Sequence, residues 1–294
     1  MLVSVVIVNY NTFALTCACI DSIIRYTKGV AYEIIVVDNA STKDDASMFL
    51  QKFPDVKLVR NPENSGFAKG NNLGISRATG DMILLLNSDA YLKEDSISIT
   101  ANYIKNNPKA GFVSARLVYE DGKYQSNARK FRSIRNELLD LARPVLMLMS
   151  YRKRARLMLN QYFKGDFNTT CDWLSGAFLM FPRDILDKLP GQKLDERFFM
   201  YGEDHLWGYQ VQAAGYGNYF LADTTAVHIA NASTDPGKRQ KLLQTMLKHE
   251  LTIMAERKGT GLYYQFFKVI FTAKEMARYY IKVLALRLLG KQIR

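Results

Sequence analysis

Cysteine is scarce in this 294-residue chain: Cys17, Cys19 and Cys171 make an odd set with no Cys-x-x-Cys pair. That excludes a disulfide scaffold and argues against a zinc site, so the thiols read as reduced, in a cytosolic compartment. A membrane-spanning run is also lacking. Residues 1–20 carry no charge before Asp21, but Asn9, Tyr10, Asn11 and Thr12 interrupt them and no basic segment precedes them. They are expected to be neither a signal peptide nor a membrane helix. The sequons at Asn39, Asn168 and Asn231 are then chance matches. There is no internal repeat and no low-complexity tract. With 48% hydrophobic and 23% charged residues the chain is no disordered segment. Its length suggests one or two domains.

Acidic residues are few where basic ones gather. The net charge is +12, yet residues 129–156 carry nine Lys/Arg against Glu137 and Asp140, and residues 238–294 carry thirteen against Glu250, Glu256 and Glu275. The remainder is mildly acidic. Such segregation suits an anionic surface, most simply a bilayer. Nucleic acid is not expected, because the basic and aromatic residues form no known recognition module.

The first half alternates apolar strands with helices. Strands are expected at Leu2–Val8, Glu33–Val37, Val56–Arg60, Met82–Leu86 and Gly111–Ala115. Helices are expected around Thr16–Tyr26, Asp44–Lys52, Gly66–Ala78 and Asp95–Asn106. The pattern predicts a doubly wound, mostly parallel α/β sheet covered on both faces. Ligands of such sheets sit beyond the carboxyl ends of the strands, where Asn9, Asp38, Arg60 and Asn87–Asp89 lie. Residues 129–164 read as a basic helical insertion broken at Pro144, and 172–181 as a strand. Gly202–Ala214 reads as a helix and Tyr219–Ile229 as one or two strands. Two helices hinged near Gly259–Gly261 complete the chain.

Four constellations carry chemistry. Asp38-Asn39-Ala40-Ser41 follows a buried strand, where a carboxylate and amides can meet a nucleobase or ribose; a helix cap is the plainer alternative. Residues 61–74 hold Gly66, Gly70 and Gly74 among asparagines, a composition that lets a loop approach a ligand and lead into a helix N-terminus. The spacing fits neither a Walker loop nor a dinucleotide fingerprint, and a capped turn would serve as well. Asn87-Ser88-Asp89 ends an apolar strand and offers oxygen ligands for Mg²⁺ or Mn²⁺; otherwise Asp89 caps the next helix. Glu203-Asp204 stands at a helix start, where adjacent carboxylates supply a general base or merely complement the helix dipole. His228 is a metal ligand or a satisfied buried histidine.

The order of these motifs resembles family 2 glycosyltransferases. It runs Val8-Asn-Tyr-Asn11, Val36-Val-Asp-Asn-Ala-Ser41, Asn64-Ser-Gly-Phe-Ala-Lys-Gly-Asn-Asn72, Leu86-Asn-Ser-Asp89, Asp172-Trp-Leu-Ser-Gly-Ala177, Asp195 through Asp204, and Val227-His228. The resemblance covers about residues 3–232 and looks nearest to a bacterial rhamnosyltransferase-type branch. It implies a GT-A fold over residues 1–237, with a nucleotide-sugar half (1–115) and an acceptor-side half (116–237). It implies inverting transfer from a nucleoside-diphosphate sugar, with dTDP-rhamnose a candidate donor. The donor would meet Asn9, Asn11, Asp38, Asn39, Ser41, Gly66, Lys69, Asn71, Asn87, Ser88 and Asp89. Asp89 and His228 would hold a divalent cation, Mg²⁺ or Mn²⁺. Asp204 would be the base, supported by Glu203, with Trp173, Ser175 and Gly176 on the acceptor side. Two positions depart from relatives: Asn87 replaces an acid at the metal turn, and the acidic residue expected two after Asp204 is absent.

An acceptor in bacterial cell-surface glycan synthesis, carried on a lipid, would suit the basic segments. Phe267, Ile270, Ile281, Leu284 and Leu288 recur near helical spacing beside Lys274, Arg278 and Lys282. Residues 238–294 are therefore expected to lie in the interface on the inner face of the cell membrane. A homo-oligomer contact or core packing is the competing expectation. The other functional alternatives are a nucleotide-sugar-binding protein without catalysis and a sugar nucleotidylyltransferase. The latter is disfavoured because no triphosphate loop follows the first strand.

Overall fold

The computed structural model describes residues 1–229 and 239–288. The boundary expected at 237/238, the sequon at Asn231, and the side chains of Lys282 and Leu288 lie outside the described residues. The chain divides into two compact units, Met1–Lys130 with Ala155–Ala232, and Phe131–Arg154 with Ser233–Arg294.

The strands are β1 (Leu2–Asn9), β2 (Ala31–Asp38), β3 (Lys57–Arg60), β4 (Met82–Leu86), β5 (Ala90–Leu92), β6 (Ala110–Val118), β7 (Ala128–Arg129), β8 (Thr169–Cys171), β9 (Trp173–Leu174), β10 (Phe178–Pro182) and β11 (Gly217–His228). The helices are α1 (Phe13–Tyr26), α2 (Met48–Lys52), α3 (Phe67–Ile75), α4 (Ser96–Asn106), α5 (Ile134–Leu141), α6 (Arg143–Met147), α7 (Tyr151–Met158), α8 (Glu203–Ala213), α9 (Arg239–Lys258) and α10 (Leu262–Leu288).

In the first unit the sheet order is β3-β2-β1-β4-β10-β6-β11-β5, with β8 against β11. β3, β2, β1 and β4 run parallel, and β11 runs parallel to β6. β10 and β5 enter antiparallel. β1, β2 and β4 hold the Val/Ile/Leu runs expected of strands buried on both faces; Val3, Val5, Val6 and Ile83 through Leu85 are all fully buried.

Register does the positioning. β1 pairs with β2 from Leu2↔Ala31 to Asn9↔Asp38, so these two polar residues end their strands side by side. β11 pairs with β5 through His228↔Ala90, which sets His228 beside Asp89. The apolar stretch expected as one strand over 172–181 is broken. Ser175, Gly176 and Ala177 form a turn between β9 and β10, because their backbone groups bond sideways. Ser175 N–H donates to Asn127 O at 3.0 Å, and Ala177 O accepts from Asn87 N–H at 3.1 Å.

In the second unit Leu247, Met254, Phe267 and Phe271 form a core with Ile134, Leu243, Leu251, Tyr264 and Met276. The expected hinge is present: α9 ends at Lys258 and Gly259 takes a positive φ of 70°. The expected outward row on the last helix is present only in part: Ile281, Leu284 and Arg278 are exposed, but its first half turns inward. Phe267 is core and Lys274 is buried, held by Glu137 and by Asp140 at 3.1 Å. Arg132 joins Glu137 and Glu275, each at 3.1 Å, and Arg278 reaches Asp140 at 2.6 Å. Arg132, Glu137 and Asp140 stand more than 130 residues before Lys274 and its neighbours in sequence, so helical spacing alone could not reveal them.

Candidate active site

The ends of β1 and β2 form one edge of the site. Asn9 Nδ2 donates to Asp38 Oδ1 at 2.8 Å and to Ser41 Oγ at 2.9 Å. Asn9 Oδ1 accepts from Thr16 at 2.8 Å and Thr12 at 3.1 Å, so its amide orientation is fixed. Asn11, at a φ of 57°, gives its N–H to Ser41 Oγ and accepts from the N–H groups of Thr42 and Lys43. Asp38–Ser41 caps no helix, since α2 begins only at Met48. This is a carboxylate held rigidly at a strand end by an asparagine and a serine.

Asn39 and the 61–74 segment are occupied internally. Asn39 Oδ1 accepts from Asn61 at 2.7 Å, and its Nδ2 donates to Asn64 at 2.9 Å. Asn71 is buried and donates to Phe67 O. A Cβ at Gly66, Gly70 or Gly74 would lie 2.3 Å from Phe199 O, 3.0 Å from Val8 Cγ1 or 2.4 Å from Val6 Cγ1. Spacing by four puts the last two on one face of α3, where they let the helix press onto β1. The glycines therefore serve close packing of helix, sheet and the 194–201 segment. Lys69 is exposed on α3.

A cluster forms at the end of β4. Asp89 caps no helix, because β5 follows it and Asp95 caps α4. His228 Nδ1–H donates to Gln125 Oε1 at 2.5 Å, which points Nε2 at the turn, and in the neutral ring that nitrogen carries the lone pair. Asn87 Nδ2 and Asp89 Oδ1 each stand 3.2 Å from that nitrogen. Asn87 Oδ1 is buried without a hydrogen-bond partner among the described residues. Ser88 Oγ accepts from Thr12 at 3.0 Å, joining this turn to the β1 edge. Among the described residues no group of three or more His, Cys, Asp and Glu could hold a metal. Asp89, His228 and the unpartnered amide oxygen of Asn87 would suit a cation whose remaining ligands are diphosphate oxygens.

The 175–177 turn links this cluster to the second pair of carboxylates. Ala177 O accepts from Asn87, while Gly176 N–H points to Asp204 Oδ2 at 3.4 Å. Asp204 Oδ1 accepts from His205 N–H at 2.9 Å. Both carboxylates begin α8 after two left-handed residues, Tyr201 (φ 70°) and Gly202 (φ 105°). Burial pushes the Asp204 carboxyl above its ordinary range against the opposing charges of Arg129 and His205. Burial, and then the charge of Asp204, pushes Glu203 the same way. Trp173 stacks on His205 with ring centroids 5.0 Å apart and planes 10° from parallel, and the Arg129 guanidinium lies 5.1 Å from the Trp173 ring. Gln125 and Arg129 carried no sequence signal of this role. Gln125 had none at all, and Arg129 merged into a basic run.

Comparison with known proteins identifies the family and the fold. The family model "Glycosyl transferase family 2" matches residues 4–189. The O-antigen biosynthesis protein RfbC of Myxococcus xanthus is 25% identical over 73% of this chain, which spans 16% of that protein. The N-acetylglucosaminyl-diphospho-decaprenol L-rhamnosyltransferase of Mycobacterium tuberculosis is 25% identical over 68% of this chain and 67% of its own length. Among solved structures, the mannosyltransferase PcManGT from Pyrobaculum calidifontis, in complex with GDP-Man and Mn²⁺, superposes with a TM-score of 0.59 at 18% identity over 98% of this chain and 79% of that one. TarS of S. aureus gives 0.52 at 17% identity over 89% and 75%. The strand-end carboxylate, the turn beside His228 and the paired acids of α8 therefore stand on a GT-A framework, and the chain belongs to glycosyl transferase family 2.

Proposed function

We propose that the chain is an inverting glycosyltransferase that moves a sugar from a nucleoside-diphosphate donor to a lipid-linked acceptor in bacterial cell-surface glycan synthesis, at the inner face of the membrane. The observation that carries this reading is the 175–177 turn. It bonds to Asn87 on one side and Asp204 on the other, so a cation-and-diphosphate end and a buried base share one short piece of backbone. Asp38, with Asn9, Asn11 and Ser41, suits the nucleoside. Asp89, His228 and Asn87 Oδ1 would hold the cation, which when bound neutralises charge on the leaving diphosphate. Asp204 takes the proton of the acceptor hydroxyl as that oxygen bonds to the anomeric carbon and the nucleoside diphosphate departs. One base on the face away from the leaving group gives inversion. Trp173 and Gly176 line the acceptor side.

The name of the mycobacterial relative, a rhamnosyltransferase on a diphospho-lipid, supports dTDP-rhamnose as first candidate donor and a lipid diphosphate as acceptor. The test is nucleoside-diphosphate release from a panel of dTDP-, UDP- and GDP-sugars, with Mg²⁺, Mn²⁺ or EDTA, with and without lipid-linked acceptor. One donor should respond, dependent on metal and stimulated by acceptor. Asp204→Asn should lower turnover about 10²- to 10⁴-fold with nucleotide binding intact. Near-normal turnover in that variant removes Asp204 as the base. Binding without release in the wild type favours a nucleotide-sugar-binding protein, and diphosphate release from a nucleoside triphosphate favours a nucleotidylyltransferase.

A further inference from the structure

The second unit holds 19 Lys/Arg against 6 Asp/Glu. Its inserted segment sorts those charges by direction. From Arg135 to Lys153 the exposed side chains are Leu138, Leu141, Ala142, Pro144, Val145, Met147 and Leu148, then Arg135, Arg143, Arg152 and Lys153, with Ser150 the one neutral polar exception. Leu148 is 87% exposed and Val145 63%. The two acids of the segment face inward. Glu137 is 2% exposed and bound by Lys274 and Arg132, and Asp140 is bound by Lys274 and Arg278. The outward surface is therefore apolar and cationic with no anion on it.

We propose that this segment, centred on Leu141–Leu148, is a docking face for an anionic lipid bilayer. Apolar side chains that enter the acyl boundary, ringed by guanidinium and ammonium groups that reach the headgroups, form the combination an anionic interface retains. No helix among the described residues is long and apolar enough to cross a membrane, so the contact lies on the surface. A second copy is the poorer occupant. A two-fold contact would set this face against itself, cation against cation, with both acids turned away. The outward face of α10 differs from it. Leu262, Phe266, Val269, Ala273, Ala277, Tyr280 and Leu284 follow one another at intervals of three and four with no charge in the row, and the exposed cations Lys268 and Arg278 lie away from it around the helix. The docking role thus moves from the C-terminal row expected from sequence to the insertion.

The proposal rests on the lipid-linked acceptor reading for its purpose, but its test needs no substrate. The full chain is sedimented with phosphatidylcholine vesicles, with or without phosphatidylglycerol, across a salt series. Binding should require phosphatidylglycerol and weaken with salt. Val145→Asp with Leu148→Asp should weaken it at least about tenfold. Both positions are exposed, so the melting temperature should stay that of the wild type. Phe266→Ser with Val269→Ser should leave binding within about twofold. No binding, equal binding to both vesicles, or loss only in the α10 variant overturns the proposal. So does a concentration-dependent dimer that the Val145/Leu148 substitutions disperse. Donor turnover with a water-soluble acceptor analogue, measured on the same variants, reports separately on the catalytic reading.

Discussion

Gly66→Ala separates a glycine that faces a ligand from one that faces the protein's own backbone. Gly66 has φ 87° and ψ −176°, a region almost confined to glycine, where another residue is strained by roughly 1–3 kcal/mol. An added Cβ would stand 2.3 Å from the Phe199 carbonyl oxygen and 2.8 Å from its ring, so that segment must shift. The shift endangers the 3.0 Å bond from Phe67 N–H to Phe199 O, worth about 0.5–1.5 kcal/mol. The total is about 2–4 kcal/mol, or a fall in Tm of about 5–15 °C for a unit of this size. The segment that moves runs through Phe199 to Glu203 and Asp204, whereas the Asn9–Asp38 edge keeps its own bonds. Scanning calorimetry should therefore show the fall, and turnover should drop with it. Nucleotide affinity by titration calorimetry should stay within about threefold. A variant that melts like the wild type yet loses the nucleotide would refute the reasoning and return Gly66 to the ligand.

Turnover should also depend on the buried acids. The folded pKa values of Glu203 and Asp204 are both raised, so the base loses its proton only above the ordinary carboxylate range. The acid limb of log kcat/KM should accordingly lie above about pH 4, and a limb at or below that value would show the pair exposed. Stability has the opposite sign. A carboxyl with a raised folded pKa contributes most below its unfolded pKa, and that contribution is lost as pH rises through the folded value, so Tm should decline over the interval in which turnover climbs. In the second unit, Lys274→Met leaves Glu137 and Asp140 without their shared buried cation and should destabilise that unit by about 3–5 kcal/mol. Titration calorimetry should find nucleotide binding unchanged, and an unaltered melting profile would show that the network is dispensable.

What could be read from the residues depended on how local its cause was. β1, β2 and β4 were legible because strands buried on both faces need continuous branched apolar runs, and Asn9, Asp38 and Asn87 interrupt those runs where the strands end. β5 was not legible. It is three residues long and exists through its pairing with β11, the same pairing that sets His228 beside Asp89. The 172–181 run looked like one strand because Ser175-Gly-Ala177 is too small to break an apolar pattern. The break comes from Asn127, Asn87 and Asp204, all distant in sequence. Gly66, Gly70 and Gly74 were visible as a spacing whose meaning was open, since close approach to a ligand and close approach to a strand ask for the same residue. Lys274 is the sharpest case. A lysine in line with Phe267 and Phe271 on one helix face would ordinarily stretch its stem back to water, and its shortest ion pairs, to Glu137 and Asp140 from a helix over 130 residues earlier, draw it inward. The same pairing turns both acids of the insertion away from solvent. The inversion of Lys274 and the acid-free outer face of residues 135–153 are two consequences of one buried ion network, and breaking it should expose acid on that face as well as destabilise the fold.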